Sequence, residues 1–481
     1  MADLRVGEAA PQTRALPGLR LPRLLLPAAA LWAGFAWFFT RPARLFDADS
    51  YLHLALARTL ATHGLVDQLS WARFSVLGEH YGDKELLFHV LLVPFVLLTD
   101  PELGGKLALA LLCAALALSL GELARRALGR VGWLVPIFVF GSGSFALRTL
   151  RLRPELLALL VLLWVVWALG EHRYRLAAAL SCAFALSHTA FHSLLGLSVL
   201  CFGWTRWVER RWDWPLLAAP AVGCTAGVLL HPQFPNNLRV FWVQNVELFR
   251  HRAELDVGEE FQPHTTLDLA QLDAWFWLAL LVLVVARTPR ASDSERLRRT
   301  AAFALIAALA FGGLFAQMGR FATLFIPFSA LAVCYGLAAR GLGVGARLAL
   351  PAGRNAASGA VLAVLAAMSC ANLGLTAFIN WRLAGSFDPS ARRELEVLAQ
   401  HVPPGARVAA NWNDAELYAF HAPHARYLNV FDPVFMATRD PDRYAVLRDV
   451  LSGALPDIPG AVRGALDSEY LAISSGHQAL L

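Results

Sequence analysis

Two aspartates, Asp47 and Asp49, lie directly after the first hydrophobic segment of the chain, in the stretch FDADSYLHLALARTLATHG (46–64). A carboxylate pair at a membrane surface can act as a general base or bind a metal ion. His53 follows the pair on a segment with helical periodicity, which adds a third titratable side chain. The alternative is structural, because an aspartate in this place also caps a helix N-terminus. We interpret the stretch as the first part of a membrane-associated active site.

The composition places these aspartates in a polytopic membrane protein. Of the 481 residues, 57% are hydrophobic and 16% are charged, and the mean hydropathy is +0.50. The net charge of +6 resides mostly in arginines of short loops between apolar segments. That pattern is a topology signal, and it argues against a nucleic-acid partner. All six cysteines fall inside apolar segments, so we expect neither disulfides nor thiolate metal sites.

About eleven apolar segments are long enough, or nearly so, to cross a bilayer. Arginines cluster in alternate loops, which by the positive-inside rule puts the N-terminal tail (1–21) in the cytoplasm and the region after 380 outside. This assignment requires that Leu86–Leu98, which contains His89 and Pro94, lies at the membrane surface without crossing. The predicted spans are 22–40, 104–123, 131–147, 155–170, 175–190, 192–205, 214–231, 272–287, 299–316, 320–339 and 356–380.

The predicted topology gathers unusual polar residues on the outer side. The first outer loop (41–103) carries the aspartates, and the segment LRTLRLRPE places Arg151 and Arg153 outside, against the general rule. Binding of an anion such as a lipid phosphate is a physical reason for these arginines, although snorkelling to lipid headgroups explains them equally well. His188 and His192, four residues apart at a span boundary, are metal-ligand candidates or interfacial side chains.

After Asn380 the hydrophobic character stops, and residues 385–481 predict a small soluble α/β domain outside the membrane. The segments RVAANW, RYLNV and EYLAISS have strand character, and helical segments lie between them. The alternation favours an α/β layer without fixing the strand order.

The two outer-loop motifs resemble those of the GT-C glycosyltransferases, integral-membrane enzymes that use lipid-linked sugars, and especially the catalytic subunits of oligosaccharyltransferases. FDADSYLHLALARTLATHG resembles the Asp-containing first outer loop of that family, and by its spacing to Arg58 the better match to the key aspartate is Asp49 rather than Asp47. GSGSFALRTLRLRPELL resembles the second outer loop, which puts the second acidic position at Glu155.

Two later segments carry the resemblance further. VGEEFQP resembles the glutamate-bearing outer loop, which implies Glu259 or Glu260 as a third carboxylate, and the alternative is that both are solvated. GRFATLFIPF resembles an Arg-aromatic start of a late span, which makes Arg320 a candidate for the donor phosphate. The WWDYG signature by which oligosaccharyltransferases bind the acceptor peptide is absent from this sequence, so the acceptor stays open.

The resemblance implies a polytopic GT-C-like fold and a glycosyltransferase in a bacterial-type inner membrane. The enzyme would move a sugar from a polyprenyl-phosphate-linked donor to an unknown acceptor at the outer face, with membrane lipids around it. Asp49 would be the base or acceptor-orienting carboxylate, supported by Asp47 and Glu155. The implied phosphate ligands are Arg151, Arg153 and Arg320. The implied metal ligands are Asp49, Glu155, Glu259 and Glu260, whose oxygens suit Mg or Mn.

Two other classes fit parts of the sequence. One is a transporter or flippase of lipid-linked or anionic substrates, which would also need intramembrane charge. The other is a catalytically inactive relative, which would keep the fold of the family without its activity. A transporter is expected to concentrate charge near the bilayer midplane, in paired halves with broken helices. Here the carboxylates cluster in outer loops and no internal repeat is visible, which favours the enzyme.

Overall fold

Helices make up most of the described residues between Leu21 and Ala339. The computed structural model describes residues 21–98, 100–252, 254–255, 281, 294–339, 367–380, 382, 395–396 and 398–473. The α-helices of this part are Leu21–Phe39, Ala48–His63, Leu86–Val96, Pro101–Leu128, Val135–Phe140, Gly143–Arg148, Pro154–Gly170, Tyr174–Ser187, Phe191–Trp207, Pro215–Leu229, Asn236–Trp242, Leu248–His251, Glu295–Phe315 and Ala322–Ala339. Shorter turns are the 3₁₀ segments Val76–Gly78, Gly129–Leu134 and Gly319–Phe321 and the π-helical turn Val243–Glu247.

Three helical segments are long and apolar enough to cross a membrane, namely Pro101–Phe140, Glu295–Phe315 and Gly319–Ala339. Further apolar helices of 10–17 residues accompany them, among them Pro154–Gly170 and Tyr174–Ser187. The predicted span 272–287, apart from residue 281, and the first part of 356–380 lie outside the described residues. The total of eleven crossings therefore stays a prediction, whereas the polytopic helical architecture agrees with the expectation.

The predicted span 131–147 is wrong as a single helix. The chain instead forms a 3₁₀ turn and two six-residue helices, Val135–Phe140 and Gly143–Arg148, with a break at Gly141 and Ser142. Gly141 packs against the helix 367–380, where an added Cβ would lie 2.7 Å from the Cβ of Ser369. A close helix contact therefore coincides with the sequence GSGS at 141–144, whose small and polar residues interrupt the apolar segment.

Leu86–Val96 is an apolar helix of 11 residues. At 1.5 Å per residue it is about 16 Å long, roughly half the hydrocarbon thickness of a bilayer. Its buried residues include Phe88, His89 and Leu92, and they face neighbouring helices. A length of this kind agrees with a segment that does not cross on its own.

A three-stranded parallel sheet organises the region after residue 398. Strand β1 is Arg407–Ala410, β2 is Arg426–Tyr427 and β3 is Tyr470–Ala472, in the order β2-β1-β3, with Val408 opposite both Tyr427 and Tyr470. Parallel strands need crossover connections. The helices of these connections are Trp412–His421, Val434–Arg439, Pro441–Leu451 and Ile458–Arg463. Each of the three strands lies in a segment with predicted strand character.

The first outer loop continues this sheet at its β2 edge. Tyr427 donates a backbone hydrogen bond to the Trp71 carbonyl at 2.8 Å, and Arg73 donates one to the Tyr427 carbonyl at 3.1 Å. Further along, the ring of Phe420 lies 5.3 Å from that of Tyr51 on the helix Ala48–His63. The C-terminal unit (398–473) and the helical part therefore share one hydrophobic core. The predicted domain boundary near 385 lies outside the described residues.

Arg73 links the first outer loop to the turn at 466–468, directly before β3. Its Nη1 lies 3.0 Å from Oδ2 of Asp467, and its Nη2 donates to the Leu466 and Asp467 carbonyls and to Oγ of Ser468 at 2.6 to 3.1 Å. The Arg73 side chain is 13% exposed. Hydrogen bonds from a charged group in such a shielded place are worth more than those on an open surface.

We expect Arg73→Met to loosen the C-terminal unit, because the substitution removes the ion pair with the Asp467 side chain and the hydrogen bond to the Asp467 carbonyl. The free energy of unfolding should fall by about 1–3 kcal/mol. Thermal unfolding in detergent, together with limited proteolysis of the unit, measures the effect. Arg463→Met, at an exposed arginine of the same unit, is the control and should leave both readouts unchanged. Equal behaviour of the two variants would contradict the docking role.

Candidate active site

Asp47 determines where the first outer-loop helix begins. Its backbone is extended (φ −142°, ψ 164°), and its Oδ1 accepts hydrogen bonds from the backbone N–H and the hydroxyl of Ser50. The helix Ala48–His63 therefore has Asp47 as its N-cap and Asp49 in its first turn. The capping alternative from the sequence thus holds for Asp47, which leaves Asp49 as the carboxylate that reaches beyond the helix end.

Arg153 binds both aspartates. Its Nε donates to Oδ2 of Asp47 at 2.7 Å, and its Nη2 lies 2.7 Å from Oδ2 of Asp49. Pro154 holds the preceding Arg153 in extended backbone, with φ −127°, so that its side chain points back to the first loop. Ser50 adds a second link, because its Oγ accepts a hydrogen bond from the Leu152 amide at 3.0 Å. The contacts of Arg153 and Ser50 therefore hold the first and second outer loops together.

Burial raises the pKa of Asp47, and the Arg153 guanidinium opposes that rise. A buried carboxylate is costly unless it is paired. Two guanidinium groups therefore face the two aspartates, since Nε of Arg151 also lies 3.9 Å from Oδ2 of Asp47.

A second arginine-carboxylate cluster lies at the start of the next helix. Glu155 is in the first turn of Pro154–Gly170, and its Oε1 lies 3.1 Å from Nη2 of Arg320 and 3.5 Å from Nη2 of Arg148. Arg320 comes from the turn Gly319–Phe321, far along the chain. The structure therefore brings together Glu155 and Arg320, which the sequence motifs singled out separately.

A polar cleft of about 580 Å³ joins the two clusters. Both acidic and basic side chains line it, and it carries more carboxylates than cations. Its charged lining residues are Asp49, Lys84, Glu85, Arg153, Glu155, Arg320, Glu416 and Asp432, and its other polar residues are His53, His188, Thr189 and Gln244. Such an arrangement can bind an anion and accept a proton within one space.

An apolar cavity of about 870 Å³ adjoins the cleft. Glu155, His188 and Arg320 line both spaces and so form part of the wall between them. The rest of the cavity is mainly apolar, with Phe184, Leu248, Phe249, Met318, Phe321 and Leu324. A charged cleft therefore lies next to an apolar cavity.

The C-terminal unit contributes Glu416 to the cleft. Glu416 is 3% exposed, and its carboxyl group is hydrogen-bonded to that of Asp49. Burial raises the pKa of Glu416 well above its ordinary value, and the negative charges of Asp49 and Asp432 add to the rise. Two carboxyl groups in hydrogen-bond contact share a proton, and the raised pKa of Glu416 makes Glu416 the protonated partner.

Several cleft residues were missed by the sequence analysis. Lys84 and Glu85 precede the short apolar helix that was assigned to the membrane surface, and Asp432, whose Oδ2 accepts from Gln244 at 3.3 Å, lies between β2 and the helix Val434–Arg439. Glu416 carried a usable signal. It lies on the same helix face as the buried Ala419 and Phe420, where a charged residue interrupts an apolar stripe.

Some sequence candidates lie elsewhere. Arg151 does not line the cleft, and its guanidinium lies 5.6 Å from the centre of the Phe46 ring and 3.9 Å from Asp47. His188 lines the cleft, whereas His192 lines only the apolar cavity, 5.9 Å from the ring of Phe241. Glu259 and Glu260 lie outside the described residues, so the metal site implied with Asp49 and Glu155 stays a prediction.

The described residues contain one cluster with metal-ligand geometry, and it differs from the implied set. His53, Glu85 and His89 are buried and offer ligand atoms within 4.8 Å of one another. Asp49 and Glu155 are each engaged by arginine, which occupies carboxylate oxygen that Mg or Mn would need. Of the sequence candidates, only His53 belongs to this cluster.

We expect Glu416→Gln to fold as stably as the parent protein, because a neutral amide replaces a neutral carboxyl group. A carboxyl whose pKa is raised in the folded state stabilises below its ordinary pKa of 4.5, and this contribution is lost as the pH rises through the folded value. The free energy of unfolding of Glu416→Gln should therefore fall less than that of the parent protein as the pH rises. Melting temperatures across a pH series measure this.

Glu469→Gln is the matched control, since a hydrogen bond from Arg407 lowers the pKa of Glu469 to about 2. At high pH the Glu469→Gln variant should therefore not be more stable than the parent protein. A Glu416→Gln protein that melts well below the parent at alkaline pH would contradict a neutral Glu416.

Comparison with known proteins shows similarity in structure only. No family model matches the chain, and no curated protein matches it. ArnT from Cupriavidus metallidurans bound to undecaprenyl phosphate is similar over 88% of this chain and 88% of that chain, with a TM-score of 0.56 and 15% identity. The apo state of ArnT gives the same TM-score at 16% identity, over 92% of this chain and 94% of ArnT.

The oligosaccharyltransferase of Archaeoglobus fulgidus, tethered to an acceptor peptide with an NVT sequon, gives a TM-score of 0.55 at 13% identity. The match covers 84% of this chain but only 64% of that enzyme. An oligosaccharyltransferase is thus among the neighbours, and this is the class of enzyme that the outer-loop motifs resemble. The fold of this chain is therefore similar to the folds of ArnT and of this oligosaccharyltransferase, in agreement with the resemblance.

Proposed function

We propose that this protein is a GT-C-type glycosyltransferase that moves a sugar from a polyprenyl-phosphate-linked donor to an acceptor at the outer membrane face. The observation that carries the proposal is the shared wall of the two compartments. Arg320 and Glu155 face a charged cleft on one side and an apolar cavity of about 870 Å³ on the other. A lipid phosphate has the same division into an anionic head and an apolar tail.

The cations of the cleft would bind the donor phosphate. Arg320 lies on the wall between the compartments, where the head of a lipid in the cavity would emerge, and Lys84 and Arg153 also line the cleft. Guanidinium groups bind phosphate oxygens through paired hydrogen bonds, and the partly dehydrated cleft strengthens them. ArnT, which has a similar fold, binds undecaprenyl phosphate, and this supports a polyprenyl phosphate as the lipid.

Asp49 would act as the base. An acceptor hydroxyl attacks the anomeric carbon of the sugar, its proton passes to Asp49, and the bond from carbon to the phosphate oxygen breaks with its electron pair going to the polyprenyl phosphate. Positive charge at Arg320 and Arg153 would stabilise the leaving phosphate. Neutral Glu416, hydrogen-bonded to Asp49, would hold the base in place without adding a negative charge.

We expect Asp49→Asn to reduce transfer about 10²- to 10⁴-fold, because the amide cannot accept the proton. Binding of the polyprenyl phosphate should change little. Mass spectrometry of lipids that co-purify with the protein identifies the donor, and single-turnover release of polyprenyl phosphate from that donor measures transfer. Asp67→Asn, at an exposed aspartate of the same outer loop, is the control. Full transfer by Asp49→Asn would remove Asp49 from the mechanism.

We expect Arg320→Gln to raise the Kd for undecaprenyl phosphate roughly 10- to 150-fold, the equivalent of about 1.5–3 kcal/mol for a hydrogen bond to a charged group. Titration of nanodisc-embedded protein measures this. Arg125→Gln is the control, because Arg125 is paired with Glu122 at the other end of a long helix. Equal affinities of parent and both variants would contradict a phosphate site at the shared wall.

A further inference from the structure

Three buried side chains at the base of the cleft have no role in the proposed transfer. His53 lies on the helix Ala48–His63, and Glu85 and His89 lie at the N-terminal end of Leu86–Val96, which packs against it. Their relative exposures are 6%, 4% and 0%. Two imidazoles and a carboxylate that are shielded from bulk water form an unusual cluster unless they bind a ligand.

The two histidines present ring nitrogens to each other. Nδ1 of His53 lies 3.0 Å from Nε2 of His89. The other nitrogen of His89, Nδ1, lies 2.7 and 2.8 Å from the two carboxylate oxygens of Asp83. A carboxylate on Nδ1 requires a proton there, which leaves Nε2 as a lone-pair donor pointing at His53. The same pattern of carboxylate, histidine and metal recurs at zinc sites.

Glu85 completes the set. Its Oε1 lies 3.5 Å from Nζ of Lys84, whereas its Oε2 is buried and accepts no hydrogen bond from any described residue. A buried carboxylate oxygen without a donor is costly. The atom is therefore free to serve as a ligand close to the two facing nitrogens.

We propose that His53, Glu85 and His89 bind one divalent transition-metal ion of the zinc class. Two nitrogens and one carboxylate oxygen suit zinc or cobalt, whereas Mg and Mn prefer sites of oxygen atoms alone. In a tetrahedral zinc site the nitrogens are about 3.3 Å apart, so the two rings would have to separate by a few tenths of an ångström and turn until both lone pairs point at the ion. The Asp83 carboxylate would keep the proton on Nδ1 of His89 and so leave Nε2 for the metal.

Three protein ligands leave a fourth position for water or substrate. His53 and Glu85 line the cleft next to Asp49, whereas His89 lies behind them. The open position would therefore face the cleft, where the metal would polarise an acceptor hydroxyl. Metal binding itself does not depend on the glycosyltransferase proposal, because its ligands are none of the proposed transfer residues.

The test uses the full-length protein, purified with an affinity tag that contains no histidine. After treatment with a chelator, it is titrated with Zn²⁺ or Co²⁺ and the bound metal is measured by mass spectrometry of the elements. We expect one equivalent. Bound Co²⁺ should show the visible absorption of a tetrahedral site without a thiolate charge-transfer band, which separates this site from binding at cysteine.

Substitutions assign the metal to these residues. His53→Gln, Glu85→Gln and His89→Gln should each abolish stoichiometric binding, and Asp83→Asn should weaken it about 10- to 100-fold. His63→Gln is the control, since His63 is exposed on the same helix as His53. Melting curves identify any variant that fails to fold, in which case the Co²⁺ spectrum of the parent protein decides.

Two results would overturn the proposal. One is substoichiometric metal in the parent protein, which would make the pair a metal-free hydrogen-bonded chain from Asp83 through His89 to His53. The other is unchanged binding in folded His53→Gln and His89→Gln proteins. If the metal-site variants lose the metal but still transfer sugar, the proposed function is unaffected. If Asp49→Asn loses transfer but still binds metal, the metal site is unaffected.

Discussion

The Arg153 guanidinium is the interaction on which the candidate site depends. It is held at 2.7 Å from both Asp47 and Asp49 while the neighbouring Leu152 amide binds Ser50. Removal of this one group would deprive the partly buried Asp47 and Asp49 of the guanidinium that both contact at 2.7 Å, and loss of one partner from such an ion pair is strongly destabilising. The same contact orients Asp49 and joins the two outer loops, so geometry and electrostatics of the cleft have a common origin.

Charge balance explains why the C-terminal unit supplies an acid that stays protonated. Arg153 is already paired with Asp47 and Asp49, Arg151 also lies near Asp47, and Glu155 is paired with Arg320 and Arg148. A further anion at Glu416 would add to the negative charges of Asp49 and Asp432 next to it. A proton is the least costly compensation, and it also gives Glu416 a donor to offer to Asp49. The docked unit therefore completes the cleft without disturbing the ion pairs below it.

Local patterns predicted the parts of the site that lie at helix starts. Asp49 and Glu155 follow loop-to-helix boundaries, and Arg153 precedes a proline, so motif and capping chemistry indicated them from short stretches. Lys84 and Glu416 were missed because their role depends on how distant segments dock, which hydropathy and periodicity do not encode. The break at Gly141 was missed because the span was assigned from its hydropathy, although the sequence GSGS at 141–144 indicates an interruption of the helix.

Shared packing between the C-terminal unit and the outer loop also bears on how the protein is made. Glu416 and Asp432 follow nearly all of the membrane helices in the chain, and strand β3 ends at Ala472. Ribosomal synthesis would therefore insert the helices and form the Arg153 bridge well before the acids of the C-terminal unit emerge. A nascent chain in the membrane would therefore hold an open, unfinished cleft until the C-terminal unit has been synthesised and has docked.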